Sequence, residues 1–256
     1  MPTLTIDGNL IETPQDTTVL EAVRLAGIDL PTLCHLDGLP PYGACRLCLV
    51  EMTAPTQSMI SSCSYPAANG MVIETRSKQV VAVRKMMLEF LLARCPTSSV
   101  IVDLAKKEGL TETRFYSEYA GRADAPGSEL CILCGLCVRV CSDMIGAAAI
   151  GFNGRGENRQ VASPFFLQSE ACIGCGACAF VCPTSAIRIE DHDGQRFLRM
   201  WNTVVVLQPC PVCGNSFSPE PMIFLRNLAE ASTDLWGICP ECRRKQAASK
   251  FHSVLG

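Results

Sequence analysis

The chain has little of what builds surfaces for polyanions or lipids. Only 18% of its 256 residues are charged, 22 Lys and Arg stand against 25 Asp and Glu, and the net charge is −3. That balance gives no basic face for nucleic acid. Low charge beside 48% hydrophobic residues also argues against a disordered chain. Long apolar runs are missing. Stretches such as "GAAAIGF" and "TVVVL" are far short of the roughly 20 residues that a membrane helix requires. The start, "MPTLTIDGNLIETPQD", has neither the basic opening nor the apolar run of a secretory leader. We therefore expect a cytoplasmic chain, or one on the soluble side of a larger complex, with no nucleic-acid partner and no direct membrane insertion.

Against these absences stand 17 cysteines. In a reducing compartment, clustered cysteines bind metals more often than they form disulfides, and an odd count suits a disulfide set poorly. All but one fall into four groups of four.

Along the chain, "TLTID", "GN" and "LIET" read as a hairpin turning near Asp7-Gly8. "TVLEAVRLAG" reads as a helix: Thr18 and Glu21 have capping-box spacing, and Gly27 suits its stop. "LCLVEM" and "MVIET" look like short strands, so residues 1–78 form a small mixed sheet with one helix. Residues 79–127 read as a helical linker. Its first helix carries Val80, Val83, Met87, Phe90 and Leu91 at helical spacing, a stripe that suits covering the neighbouring domain better than docking a partner. A polar helix, "VIVDLAKKEG", and a loop with "GRADAPG" follow. Residues 128–204 hold two similar cysteine runs, the mark of an internal duplication, and the strand candidate "NTVVVLQ" at 202–208 leads into the last segment. Residues 205–256 hold "CPVCG" and "CPEC". The fold class expected is α+β.

The two runs are Cys131, Cys134, Cys137, Cys141 and Cys172, Cys175, Cys178, Cys182, the last followed by Pro183. This is the bacterial ferredoxin spacing, in which three thiolates of one loop bind one [4Fe–4S] cube and the fourth cysteine reaches the other cube. One cluster is thus assigned to Cys131, Cys134, Cys137 and Cys182, and the other to Cys172, Cys175, Cys178 and Cys141. Gly135, Gly174 and Gly176 let the backbone wrap closely. Ser142, not proline, follows Cys141. The first group, Cys34, Cys45, Cys48 and Cys63, suits a [2Fe–2S] cluster, with a longer first gap than plant-type ferredoxins have and with zinc as the competing reading. His35 beside Cys34 is read as a satisfied surface histidine. In the last group, Cys210, Cys213, Cys239 and Cys242 form two knuckles that suit one structural zinc; mononuclear iron or a further cluster are the alternatives. Cys95, left over, is read as a free buried thiol.

"LPTLCHLDGLPPYGACRLCLVE", "CSYPAANGMVIET" and "CILCGLCVRVCSDMIGAAAIGFNGRG" resemble the N-terminal region of the large Fe–S subunit of respiratory complex I, and the small diaphorase subunit of NAD-linked hydrogenases and related formate dehydrogenases. The resemblance covers about residues 1–200. It implies a β-grasp [2Fe–2S] domain, linker helices, a two-cluster bacterial-ferredoxin-like domain and a flavin- and NAD(H)-binding partner subunit. The family often has a further cube after the linker helix, held by one histidine and three cysteines. Here "LLARCPTSSVIVDLAKKEG" keeps only Cys95, with Ser98 and Ser99 nearby, so that cube is not expected. The zinc-ribbon-like end is a second departure.

These readings converge on an electron-transfer subunit. No GxGxxG follows a strand, since "GFNGRG" has the wrong spacing, so two-electron chemistry is assigned to partners: the flavin subunit and a catalytic subunit such as a hydrogenase, formate dehydrogenase or other reductase. Flavin-based bifurcation with ferredoxin as a third partner is an extension of the resemblance alone. The alternative is an Fe–S redox sensor. A self-contained enzyme would need an iron with an open position, which four cysteines per cube do not leave.

Overall fold

A two-residue hairpin needs positive backbone angles at its turn, and Asp-Gly tolerates them well. In a computed structural model that describes residues 1–115, 127–218 and 237–255, Asp7 and Gly8 have φ of 46° and 85°. They join β1 (Thr3–Ile6) to β2 (Asn9–Glu12), with Ile6 opposite Asn9. Helix α1 (Val19–Leu25) starts at a complete capping box: Thr18 N donates to Glu21 Oε2 at 2.6 Å, and Glu21 N to Thr18 Oγ1 at 3.3 Å. Strands β3 (Leu49–Ala54), β4 (Ser58–Ser61) and β5 (Val72–Glu74) complete a five-stranded sheet of order β2-β1-β5-β3-β4, with β1 and β5 parallel and the other neighbours antiparallel. No strand is read at β4 in the sequence, because "SMIS" is too short to show a period; pairing with β3 makes it one.

Leu4, Ile6, Val50 and Ile73 of the sheet pack with Val19, Leu20 and Val23 of α1, all buried. Each such side chain contributes roughly 1.5–3 kcal/mol. Cys48 and Cys63 belong to the same core, so this core also fixes where two sulfurs sit.

The linker helices are α2 (Lys78–Arg94) and α3 (Ser99–Lys107). Ser77 caps α2, accepting from Val80 N at 3.2 Å. The buried face of α2 is not the apolar stripe expected. It is Val80, Arg84, Leu88, Glu89 and Leu92, whereas Val83, Met87 and Leu91 are half-buried and Phe90 is exposed, its ring stacked on Phe115 at 4.3 Å. The reason is Arg84, 1% exposed. Its guanidinium donates to the carbonyls of Leu47 (3.2 Å), Leu49 (3.2 Å) and Thr75 (3.1 Å) and faces Glu108 at 3.6 Å. A buried cation is tolerated only when so paired, and here the pairing fastens α2 to both neighbours of Cys48. Burial lowers the Arg84 pKa, with Glu108 opposing.

Two compact units are present: Met1–Leu136 with Val181–Ala186, and Cys137–Phe180 with Ile187–Gly256. The start of the second is reached along α4 (Leu136–Arg139), which runs into a π-turn over Val140–Met144. Then come the hairpin β6 (Gly151–Asn153) and β7 (Gln160–Ala162), helix α5 (Ala177–Phe180) and a three-stranded antiparallel sheet, β8 (Ile189–His192), β9 (Gln195–Leu198) and β10 (Thr203–Val206), the last being the strand expected at "NTVVVLQ". The short strands β11 (Gln208–Pro209) and β12 (Ser216–Phe217) and helix α6 (Pro240–Leu255) follow. The loop expected at "GRADAPG" lies outside the described residues except for Gly127. Among the described residues no helix is long and apolar enough to cross a membrane.

Candidate functional site

None of the 17 cysteines is paired in a disulfide. In the first unit, Cys34, Cys45, Cys48 and Cys63 are all buried. They form two close pairs: Cys34 Sγ lies 3.4 Å from Cys45 Sγ, and Cys48 Sγ 3.3 Å from Cys63 Sγ. Two pairs of soft donors are what two adjacent tetrahedral irons require. Backbone amides favour the anions, Leu33 N donating to Cys45 Sγ at 3.5 Å and Cys45 N to Cys34 Sγ at 3.4 Å. The contact between Cys48 and Cys63 lowers the Cys48 thiol to about 6 and raises Cys63.

His35 is a correction to the sequence reading. It is no surface histidine: its side chain is 9% exposed, Nε2 lies 3.1 Å from Asp37 Oδ1, and Nδ1 is buried without a hydrogen-bond partner among the described residues.

The two duplicated runs repeat one local device. Burial raises Cys131, Cys134, Cys172 and Cys175, Cys134 to about 12. Against it, the amide two residues on favours each thiolate: Leu133 for Cys131, Leu136 for Cys134, Gly174 for Cys172 and Ala177 for Cys175. The fourth cysteines are served likewise, Ala149 N donating to Cys141 Sγ and Ala186 N to Cys182 Sγ, both at 3.3 Å. Amides aimed at sulfur stabilise bound thiolate and tune any cluster there.

In the second unit, Cys141, Cys172, Cys175 and Cys178 line one cavity with about 350 Å³ of space, part of it open to solvent. In the first unit, Cys131, Cys182 and Cys34 lie near enough to Cys134 to add to its rise. Cys137 is buried on α4, one residue past the end of that unit.

Three residues that the sequence reading did not single out support the second run. Arg196 forks onto Asp191 (2.8 and 2.7 Å) and gives its third nitrogen to Gly174 O at 2.7 Å. The Ser218 hydroxyl donates to Ile173 O. Trp201, 2% exposed, lines the same cavity. In the first unit, Arg94 Nε donates to Cys131 O at 2.8 Å. Being one of two tryptophans was the only sequence signal for Trp201; the arginines carried none.

In the last group, the sulfurs of Cys210, Cys213, Cys239 and Cys242 all lie within 4.8 Å of one another. The β11–β12 hairpin bends the first knuckle, with Gly214 N donating to Cys210 O at 2.8 Å, and the second opens α6. Phe217 and Ile238 pack against the cysteines. Four thiols at this separation match the donor set of a closed tetrahedral ion. Cys95, the C-cap of α2, is fully buried and raised by that burial to about 12, an unreactive thiol.

Comparison with known proteins fits this geometry. Residues 1–78 match the model of a 2Fe-2S iron-sulfur cluster binding domain, and residues 130–186 that of a 4Fe-4S dicluster domain. The G subunit of NADH-quinone oxidoreductase from Rickettsia bellii is 34% identical over 200 residues, covering 72% of this chain and 29% of that one. The alpha subunit of NADPH-Fe(3+) oxidoreductase from Geobacter sulfurreducens is 34% identical over 173 residues, covering 61% and 20%. The chain thus spans less than a third of the length of these curated relatives. A chain in the crystal structure of an NAD+-reducing [NiFe]-hydrogenase in the H2-reduced state superposes with a TM-score of 0.57 at 26% identity, covering 93% of this chain and 99% of that one. The chain carries a 2Fe-2S iron-sulfur cluster binding domain over residues 1–78 and a 4Fe-4S dicluster domain over residues 130–186, and is homologous to the G subunits of the NADH-quinone oxidoreductases and to the hydrogenase chain.

Proposed function

We propose that this chain is the electron-carrying subunit of an NAD(P)-linked oxidoreductase, joining a flavin- and NAD(H)-binding diaphorase-type subunit to a catalytic subunit such as a hydrogenase, a formate dehydrogenase or another reductase. The observation that supports the reading is the placement of Cys141, which lines one cavity with Cys172, Cys175 and Cys178, while Cys182 lies near enough to Cys131 and Cys134 to raise both. On this reading Cys34, Cys45, Cys48 and Cys63 hold one [2Fe–2S] cluster; Cys131, Cys134, Cys137 and Cys182 hold one [4Fe–4S] cluster, and Cys172, Cys175, Cys178 and Cys141 the other. When bound, such groups take up and release single electrons. The residues around them hold thiolates, exclude water and keep the sulfurs in place. Cys210, Cys213, Cys239 and Cys242 hold a redox-silent zinc that staples the end of the chain. The names of the relatives share NAD(P)H-linked redox chemistry, which supports the partner assignment; the location proposed is the cytoplasm or the soluble face of a larger complex, and ferredoxin is a third partner if the complex bifurcates.

The experiment is anaerobic purification of the native complex, with mass spectrometry of its subunits and metal analysis of this chain. The expected result is a flavoprotein in the complex, about ten irons per chain and one zinc. NADH oxidation by the isolated chain would contradict the electron-carrying role, and extra iron in place of zinc would overturn the zinc assignment.

A further inference from the structure

A buried indole N–H without an acceptor is costly, and native chains rarely leave one so. Trp201 is such a case. It is 2% exposed, and its Nε1 meets no hydrogen-bond acceptor among the described residues. The residue is firmly held: it ends a 3-10 turn (Arg199–Trp201) between β9 and β10, and its carbonyl accepts from Thr203 Oγ1 at 2.9 Å and Ser163 Oγ at 3.4 Å. It lines the cavity shared by Cys141, Cys172, Cys175 and Cys178. Cys178 is part of the same lining. The orphaned donor therefore sits where sulfur acceptors would be.

We propose that Trp201 donates its indole N–H to a sulfur of the group held by Cys141, Cys172, Cys175 and Cys178, Cys178 Sγ among them, and so raises the reduction potential of that site above the value its thiolates alone would set. The inference rests on the cluster reading above. A donor aimed at sulfur draws electron density from it and favours the more negative, reduced state. Trp201 belongs to the second unit, so it is a tuning residue of the second site alone. One hydrogen bond of ordinary net strength changes the reduction equilibrium roughly five-fold, which at 59 mV per decade for a one-electron couple is about 40 mV.

The test is a redox titration, followed by EPR, of the cluster-loaded full chain and its Trp201→Phe variant, which keeps an aromatic ring and removes the donor. The signal lost in Cys172→Ser marks the second site. We expect its midpoint to fall by about 40 mV in Trp201→Phe, with the other two couples unmoved. An intact signal at an unchanged midpoint would overturn the proposal. Should the variant fail to load, pulsed EPR of the wild-type chain carrying 15N-tryptophan decides: nitrogen coupling in the spectrum of the second site supports the role, and its absence overturns it. A wild-type chain lacking the second signal altogether would overturn the cluster reading, and the role of Trp201 with it.

Discussion

The two cysteine runs have one spacing and two environments. In the first, Cys134 and Cys137 are buried; in the second, Cys178 is buried but Cys175 is exposed. At the third position of each loop both backbones turn left-handed, φ 55° at Leu133 and 67° at Gly174. The first loop carries a leucine side chain there, whereas a Cβ on Gly174 would lie 3.1 Å from the Val205 side chain and 3.2 Å from Ser218 Oγ. The second loop is thus hemmed in by β10, by the segment after β12, by Arg196 and by Trp201. For the first, Arg94 supplies a side-chain tie at Cys131 O. Ligand spacing decides which group a loop can hold; the residues packed around it decide how firmly, and at what potential.

The contrast is broken most severely by removing a ligand. Cys131→Ser and Cys172→Ser should each lose about four irons per chain by metal analysis, with different EPR signals disappearing and the [2Fe–2S] signal kept in both. Loss of the same signal from both variants would mean the runs are not two sites.

Next come the arginine ties. A hydrogen bond from a charged donor contributes about 1.5–3 kcal/mol. Arg196→Met should speed iron loss to a chelator from the second site only, and Arg94→Met from the first only, as followed by the decay of each EPR signal. The smallest effect sharpens the loop contrast. Gly174→Ala, placing a side chain at positive φ, should cost about 1–2 kcal/mol with further strain from Val205, read as a lowered Tm of the loaded chain. Leu133→Gly should be near neutral, since relief of its φ offsets the added chain freedom of glycine, about 0.5–1 kcal/mol.

What could be read from the sequence is local in kind. The Asp7-Gly8 turn, the Thr18/Glu21 box and the cysteine groups each declare themselves within a few residues, because hydrogen-bond geometry and metal coordination demand fixed short spacings. The buried face of α2 did not. A period search looks for apolar residues, and the centre of that face is Arg84, buried because three carbonyls from β3, the loop before it and the segment just after β5 need a donor. His35 was misread for a related reason, since burial of a polar residue depends on neighbours distant in sequence. Trp201 and Arg196 reach a loop more than 20 residues earlier, a relation that only the β8–β9–β10 sheet creates.

The central claim is that the fourth cysteines cross, Cys141 serving the second run and Cys182 the first. The direct measurement is EPR and iron analysis of loaded Cys141→Ser beside Cys182→Ser. Crossing predicts that Cys141→Ser perturbs the signal lost in Cys172→Ser, and that Cys182→Ser perturbs the one lost in Cys131→Ser. The opposite pairing, each fourth cysteine serving its own run, would contradict it.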